Sequence, residues 1–320
     1  MFRYICKRVG FMLIALFLVI LFTFFLIHSV PGGPFANPAL RPEVRLAIER
    51  RYHLDQPTIV QFGYYIAGLL RLDFGISLIV QPQREVFAII AERFPITIVL
   101  NLLSNIVIVP LGFAFGIIAA LKRNTLTDHA VSAMVVLFIS VPGFILASLL
   151  QYFLAFRLGW FPLTFSTSQY WDASRFYSMT LPVLAMSFGG VAFITRYLRA
   201  ELTEALNSDY MLLAKTKGLL THQAVLRHAV RNSLIPIIGM LVGIFVGILG
   251  GSVVVEQIFS IPGIGRVMVE ALFALDYPVV MGSTLMYTAI SLFARLLVDL
   301  SYGIVDPRIV VGGGKNVSRD

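Results

Sequence analysis

Six long apolar runs, near residues 9–29, 95–121, 130–156, 179–197, 234–257 and 283–304, limit what this chain can fold into. The hydrocarbon core of a bilayer is roughly 30 Å thick, and a helix needs about 20 mainly apolar residues to cross it. Lipid supplies no hydrogen-bonding partner, so a spanning segment must satisfy its own backbone, which a helix does. With 58% hydrophobic and 13% charged residues, and a mean hydropathy of +0.85, the composition excludes an ordinary soluble domain. The expected fold class is an all-α integral membrane protein of six transmembrane helices. The run from Val9 to Ile27 is followed by HSVPGGP without a small-residue cleavage pattern, so it is expected to be an uncleaved first span.

The net charge of +8 would suggest a nucleic-acid partner in a soluble protein. Here the basic residues lie in short loops between apolar runs, which points to membrane topology and to no nucleic acid. With both termini cytoplasmic, the inner segments hold 14 basic residues, and the short outer loops hold three, Arg157, Arg175 and Arg266. Residues 31–94 stay out of this comparison, because long segments translocate largely regardless of charge. The organisation expected is an N-terminal transmembrane helix over 1–30, an extracytoplasmic segment with short helices over 31–94, a five-helix core over 95–304 and a cytoplasmic tail over 305–320. A cytoplasmic loop over 198–233 interrupts the core. In the outer segment, RPEVRLAIERRYHLDQP reads as an amphipathic helix with Val44, Ala47 and Ile48 on one side, ending before Pro57. It serves either as a cap over the mouth of the membrane domain or as a direct contact for a solute.

Within the spans, Gly239, Gly243, Gly247 and Gly251 recur every four residues and drift only about 40° per step around a helix. Such a stripe lets helix backbones approach closely, and helix packing is expected there, with pore lining as the alternative. Arg295 and Asp299 stand at i, i+4 in the last span, an intramembrane ion pair toward the cytoplasmic end, with gating as the second reading. Pro262, Gly263 and Gly265 in SIPGIG are expected to break a helix and turn the chain, as an outer loop or gate element or as a simple loop. The middles of the other spans hold no Asp, Glu or Lys, which disfavours an ion-coupled carrier.

No catalytic, cofactor or metal residue is assigned. A phosphate-binding G-x-x-x-x-G-K-[ST] loop is absent, and GGGKN at 312–316 has neither its spacing nor its hydroxyl. Asp73-Phe74-Gly75 lacks the partners of a kinase magnesium loop. The five histidines have no ligand spacing, and the single Cys6 forms no internal disulfide. A membrane-embedded enzyme would need a cluster of nucleophilic or metal-binding residues that the sequence does not show.

The loop from Arg199 to Pro236 carries the most information. Asn207-Ser208-Asp209 offers a helix N-cap, Tyr210 to Lys217 continues as one or two turns with Lys215 and Lys217 late, and Gly218 supplies a stop. A polar, helical insertion between two spans suggests a docking surface.

These residues bear a family likeness. Ala214, Gly218, Leu234 and Pro236 fit the cytoplasmic motif E-A-A, three residues, G, then I-x-L-P; Leu212 and Leu213 depart from it at the leading acid and first alanine. With DYMLLAKTKGL, LRHAVRN, HSVPGGPF at 28–35, DFGIS at 73–77, VVEQIFSIPGIG at 254–265, DYPVV at 276–280 and VDPRI at 305–309, the chain resembles the permeases of ATP-binding-cassette importers along nearly its whole length. The branch is that of dipeptides, oligopeptides and nickel, and PGGPF is more similar to oligopeptide members. The resemblance implies a type I importer permease fold in a bacterial inner membrane, surrounded by lipid. It further implies a second permease, two cytoplasmic ATPases that bind ATP and magnesium in place of this chain, and an external solute-binding protein. Peptides would pass by alternating access, with nickel or another solute as the alternative cargo. By motif position, Asp209, Tyr210, Ala214, Lys215, Lys217 and Gly218 would couple the chain to an ATPase.

Overall fold

Helices follow the apolar runs because each run must satisfy its own backbone. The computed structural model describes residues 2–29, 42–168, 170–225, 229–230, 233 and 253–305. In order come α1 (Phe2–His28), α2 (Pro42–Arg51), α3 (Thr58–Leu69), α4 (Val86–Leu121), α5 (Leu126–Ser140) and α6 (Gly143–Leu150), the last continuing as a π-helical stretch over Gln151–Arg157. After these come α7 (Ala173–Ser178), α8 (Thr180–Leu206), α9 (Asp209–Thr216), α10 (Thr221–Ala224), α11 (Val253–Ile258), α12 (Ile264–Ala274) and α13 (Tyr277–Val305). Among the described residues the only β pairing is an isolated bridge between Ile76 and Glu85.

Among the described residues four helices are long and apolar enough to cross a membrane: Ile5–His28 in α1, all of α4, all of α8, and Tyr277–Leu297 in α13. Among the described residues a fifth crossing exists only as a broken one. The run expected as a single span over 130–156 divides into Leu126–Ser140 and Gly143–Arg157, bent by 100°. Pro142 is the cause: Val141 before it is extended at φ −91° and ψ 122°, as the residue preceding a proline prefers, and α6 starts after Pro142. Of the run expected over 234–257, residues 234–252 lie outside the described residues, and Gly239, Gly243, Gly247 and Gly251 with them.

The described chain divides into two compact units, one of Met1–Thr97 with Pro262–Phe293, the other of Ile98–Ile261 with Ala294–Asp320. In the first unit, Phe24 and Ile27 are buried with Phe62, Tyr277 and Met281, and the Phe24 and Phe62 rings meet edge to face at 5.2 Å. A second cluster joins Val86, Ile89 and Ile90 to Ile264, Val267, Ala271, Val279 and Val280.

A buried carboxylate organises this unit's loops. Asp276 is fully buried in the corner between α12 and α13. Its Oδ2 accepts hydrogen bonds from the Ser77 hydroxyl at 2.6 Å and from the backbone N–H groups of Leu78, Ile79 and Val80 at 3.0, 2.9 and 3.0 Å. Ser77 Oγ in turn accepts from the Gln81 N–H at 2.9 Å. Three successive N–H groups of the turn before α4 thus find their acceptor in one side chain. Nearby the Tyr52 hydroxyl accepts from the Ile76 N–H at 3.2 Å, and burial raises the phenol pKa further above its ordinary value, keeping it neutral.

In the second unit, α4 and α8 pack through small residues. A Cβ on Gly112 would stand 2.7 Å from the Ile194 side chain, one on Gly116 would stand 2.9 Å from Leu198, and one on Gly190 would stand 2.7 Å from Ile108. Gly112 and Gly116 are one turn apart on α4, the small-xxx-small arrangement that brings membrane helices together. Polar side chains cross the same seam: Ser187 Oγ donates to the Ser104 carbonyl and Thr195 Oγ1 to that of Gly112, both at 3.3 Å.

Replacing Asp276 by Ala removes the shared acceptor of four donors, and each buried donor left unpaired costs about 1–3 kcal/mol. Asp276→Ala is expected to lower the melting temperature of the detergent-purified chain and open residues 77–84 to protease, whereas Asp276→Asn, which keeps an acceptor oxygen, should fall between. Unchanged melting and cleavage in both variants would show that the carboxylate does not hold the turn.

Candidate functional site

α8 carries the chain out of the second unit's helical core and ends at Asn207. The expected cap lies where the sequence puts it, but its side chains turn backward: Asn207 Nδ2 donates to the Thr203 carbonyl at 2.9 Å and Ser208 Oγ to that of Ala205 at 2.5 Å. The Ser208 carbonyl opens α9 by accepting from the N–H groups of Met211 and Leu212, at 3.0 and 3.3 Å. Asp209 in the first turn is the charge that the positive end of the helix favours. At the other end Gly218 is left-handed at φ +84°, and the Leu219 N–H returns to the Ala214 carbonyl at 3.2 Å. This is the six-to-one closure that calls for a residue without a Cβ penalty.

α9 has two unlike faces. Met211, 1% exposed, and Ala214, 6% exposed, sit in a cluster with Ala120 from α4, Leu198, Leu202 and Ala205 from α8, and Ala224, Val225 and Ala229 beyond α9. On the outer face Tyr210, Leu212 and Leu213 are exposed, Leu212 at 65% and Leu213 at 55%, with Leu220 at 60% just past the turn. Asp209, Lys217 and Gly218 are also at the surface. The close approach that Ala214 permits is therefore to the chain's own helices. The Lys215 side chain lies outside the described residues.

An ion pair braces the helix that carries α9. Arg199 on α8 donates from Nε to Asp128 Oδ1 at 2.7 Å and from Nη2 to Oδ2 at 2.8 Å. The Asn124 N–H donates to the same Oδ2 at 2.9 Å, and Asp128, in the first turn of α5, is 1% exposed. Two parallel bonds fix angle as well as distance, so α5 and α8 are tied in orientation one turn before Leu202 enters the α9 seat.

The other expected positions fall differently. Pro262 and Gly263 lie in the connection between α11 and α12, but Gly265 is buried within the first turn of α12, so the chain turns before Gly263 and not at Gly265. The α-helical register wins because the segment after Gly263 supplies buried apolar residues at helical spacing, Ile264, Val267 and Ala271. Arg295 is on α13 and exposed, while the Asp299 side chain lies outside the described residues. No group of three or more metal-ligating side chains forms among the described residues.

Two family models account for most of the chain: the N-terminal part of the binding-protein-dependent transport system membrane component over residues 1–101, and the binding-protein-dependent transport system inner membrane component over residues 112–311. The chain belongs to this family of inner membrane transport components. Among relatives of the family it is 39% identical over 309 residues to the dipeptide transport system permease protein DppB of Lactococcus lactis subsp. cremoris, covering 97% of this chain and 99% of the relative. It is 36% identical over 310 residues to the oligopeptide transport system permease protein OppB of Haemophilus influenzae, covering 97% and 99%. In fold it is similar to the inward-facing MetNI methionine ABC transporter, with a TM-score of 0.55 at 16% identity over 68% of this chain and 96% of that one. The fold is that of a type I importer permease, and the chain is a multi-pass component of the membrane.

The unlike faces of α9 give opposite mutational outcomes. Met211→Ala removes a buried side chain and is expected to cost about 2–5 kcal/mol and loosen the backbone of α9 so that trypsin cleaves faster after Lys217. Leu213→Ala, on the open face, is expected to change stability by no more than about 0.5 kcal/mol. Thermal melts and digestion of the two purified variants check the assignment, and equal losses in both would overturn it.

Proposed function

We propose that this family member is one of two permeases in an ATP-driven importer of short peptides, and that α9 is where the work of a partner ATPase enters the chain. The observation that carries this reading is the geometry of α9: its underside is built into the core that also holds α4 and α8, while its outer face leaves Tyr210, Leu212 and Leu213 uncovered. Exposed apolar side chains flanked by Asp209 and Lys217 suit an apolar groove with charged edges on a neighbouring subunit.

The orientation proposed has both termini and α9 in the cytoplasm and residues 31–94 outside, supported by the 14 to three division of basic residues. ATP and magnesium belong to two partner subunits, since this sequence has no phosphate-binding loop. A second permease completes the pathway, and a solute-binding protein delivers cargo at the outer face. Peptides are the proposed cargo because the relatives that match along nearly the full chain are named for dipeptide and oligopeptide transport.

Coupling then follows from stiffness. A displacement of α9 moves Met211 and Ala214, and close packing transmits it to α8 through Leu198, Leu202 and Ala205 and to α4 through Ala120. The Asp128–Arg199 fork keeps α5 aligned with α8. Asp209, Tyr210 and Lys217 would meet the ATPase, Ala214 would seat the helix, and Gly218 would set the angle at which the chain leaves it, with Lys215 on the same short helix. The intramembrane readings of Arg295 with Asp299, of the glycine stripe and of Pro262 and Gly263 stand as proposals for packing and gating.

The test is ATP-dependent uptake of a labelled tripeptide into vesicles containing the whole complex. A Cβ on Gly218 would meet nothing within 4 Å, so substitutions there act on backbone conformation alone. Gly218→Ala is expected to reduce uptake partially, at a conformational cost of about 1 kcal/mol. Gly218→Pro, which cannot adopt the observed φ, is expected to reduce it by more than about tenfold with the complex still assembled. ATP-independent uptake by this chain alone would replace the importer reading with a carrier.

A further inference from the structure

The first unit contains a cavity of about 520 Å³ walled by the end of α1, the end of α2, α3, the turn after α3 and the start of α13. That is the size of a site for a small organic ligand. Four of its aromatic walls are Tyr64, Tyr65, Phe74 and Tyr277. Two guanidinium groups, Arg51 and Arg71, and one carboxylate, Asp73, also line it. None of these three forms an ion pair among the described residues; Asp73 uses Oδ1 to accept the Gly75 N–H at 2.8 Å. Gln61, 9% exposed, gives its amide N–H to the Gln56 carbonyl at 2.8 Å, and its side chain meets the His28 imidazole.

We infer that this cavity is an outer subsite for the cargo itself, a short zwitterionic peptide with a free carboxylate and an apolar or aromatic side chain. Guanidinium groups match a carboxylate in shape and charge. Asp73 supplies the opposite charge for a peptide ammonium group. Stacked rings already line the wall, His53 on Tyr64 at 4.1 Å and Phe24 on His28 at 3.9 Å, so an aromatic side chain would join surfaces of its own kind. An anionic lipid fits less well: its headgroup would meet Asp73 beside the arginines, and its acyl chains exceed the cavity. The inference rests on the peptide reading and on the outward placement of residues 31–94.

The experiment uses the purified complex in nanodiscs without nucleotide or solute-binding protein. The probe is a radiolabelled tripeptide, alanine, p-benzoylphenylalanine and alanine. Ultraviolet labelling is expected within residues 51–75 of this chain. It should fall about tenfold when the C-terminus is amidated, and by a similar factor in the Arg51→Gln/Arg71→Gln double variant. Asp73→Asn should weaken labelling by the free-amine peptide and leave that by its N-acetylated form unchanged. Both arginines are exposed, so their replacement tests binding and not folding. Labelling elsewhere, or equal labelling by acid and amide, overturns the subsite. Displacement by phospholipid but not by trialanine reassigns the cavity to a lipid headgroup and overturns it too. Peptide uptake by the same preparation in vesicles separates the two readings: uptake without labelling in the cavity sinks the subsite alone, whereas absence of uptake for every peptide sinks the transport reading on which it rests.

Discussion

Hydrocarbon offers no hydrogen bonds, and this one property of the solvent decides where the chain is helical and what it must do where it is not. Within the long helices the backbone is self-sufficient. At the interruptions, donors and acceptors must be found elsewhere in the protein. Pro142 divides a run of apolar residues, and the π-helical stretch that follows α6 is fastened from its first residue: Gln151 Nε2 donates to the carbonyls of Leu163 and Ile258, both at 2.9 Å. The turn before α4 is served by Asp276, which holds three successive N–H groups with one oxygen. These side chains do for irregular backbone what the i to i−4 ladder does for the helices, and so they are among the most constrained positions outside the cores.

The same solvent removes the usual hydrophobic drive for helix association, because an apolar side chain gains little by leaving lipid for protein. Contact between α4 and α8 rests on shape instead. Gly112 and Gly116 admit Ile194 and Leu198, Gly190 admits Ile108, and two hydroxyl groups bond across the seam. Toward the end of α8 the principle changes. The cluster around Met211 and Ala214 brings in the short helices beyond the span, and a charged fork between Asp128 and Arg199 joins the arrangement. The membrane part of this unit is set by fit, and the loop part by burial and charge.

Much of this was legible in the sequence, and the limits have physical reasons. Run length gave four of the spanning helices because length and hydropathy are local properties. Pro142 is visible in the string, but length and hydropathy alone run straight through it, whereas the extended conformation that a proline imposes on the residue before it ends a helix there. The start of α4 at Val86 was missed because Glu92 and Arg93 interrupt the apolar pattern there. The helix α9 and its glycine were readable from cap, length and stop. Its inward face was not: DYMLLAKT is apolar on both sides, so periodicity alone does not say which residues are covered. The pairs Asp276 with Ser77 and Asp128 with Arg199 join residues 199 and 71 positions apart, and no local pattern announces them. A weak signal did exist for the first pair, since DFGIS and DYPVV both belong to the strings that carry the family resemblance.

The two positions where the sequence departs from the family's cytoplasmic motif, Leu212 and Leu213, are more exposed on α9 than Tyr210. An acid at the first of these would suit a polar contact, and a leucine suits an apolar one. Since Met211 and Ala214 already satisfy the helix's own need for burial, the two leucines contribute nothing to the fold that a polar residue would not. Leaving them in water has a cost of about 25 cal/mol for each Å² of apolar surface, which a covering surface would recover. On the coupling proposed above, their presence on a helix whose underside is locked into two spans would tie partner choice to this outer face, while the inner face, with Ala214 and the turn at Gly218, would transmit the movement. The proposed recognition and coupling would then be divided between the two sides of one eight-residue helix.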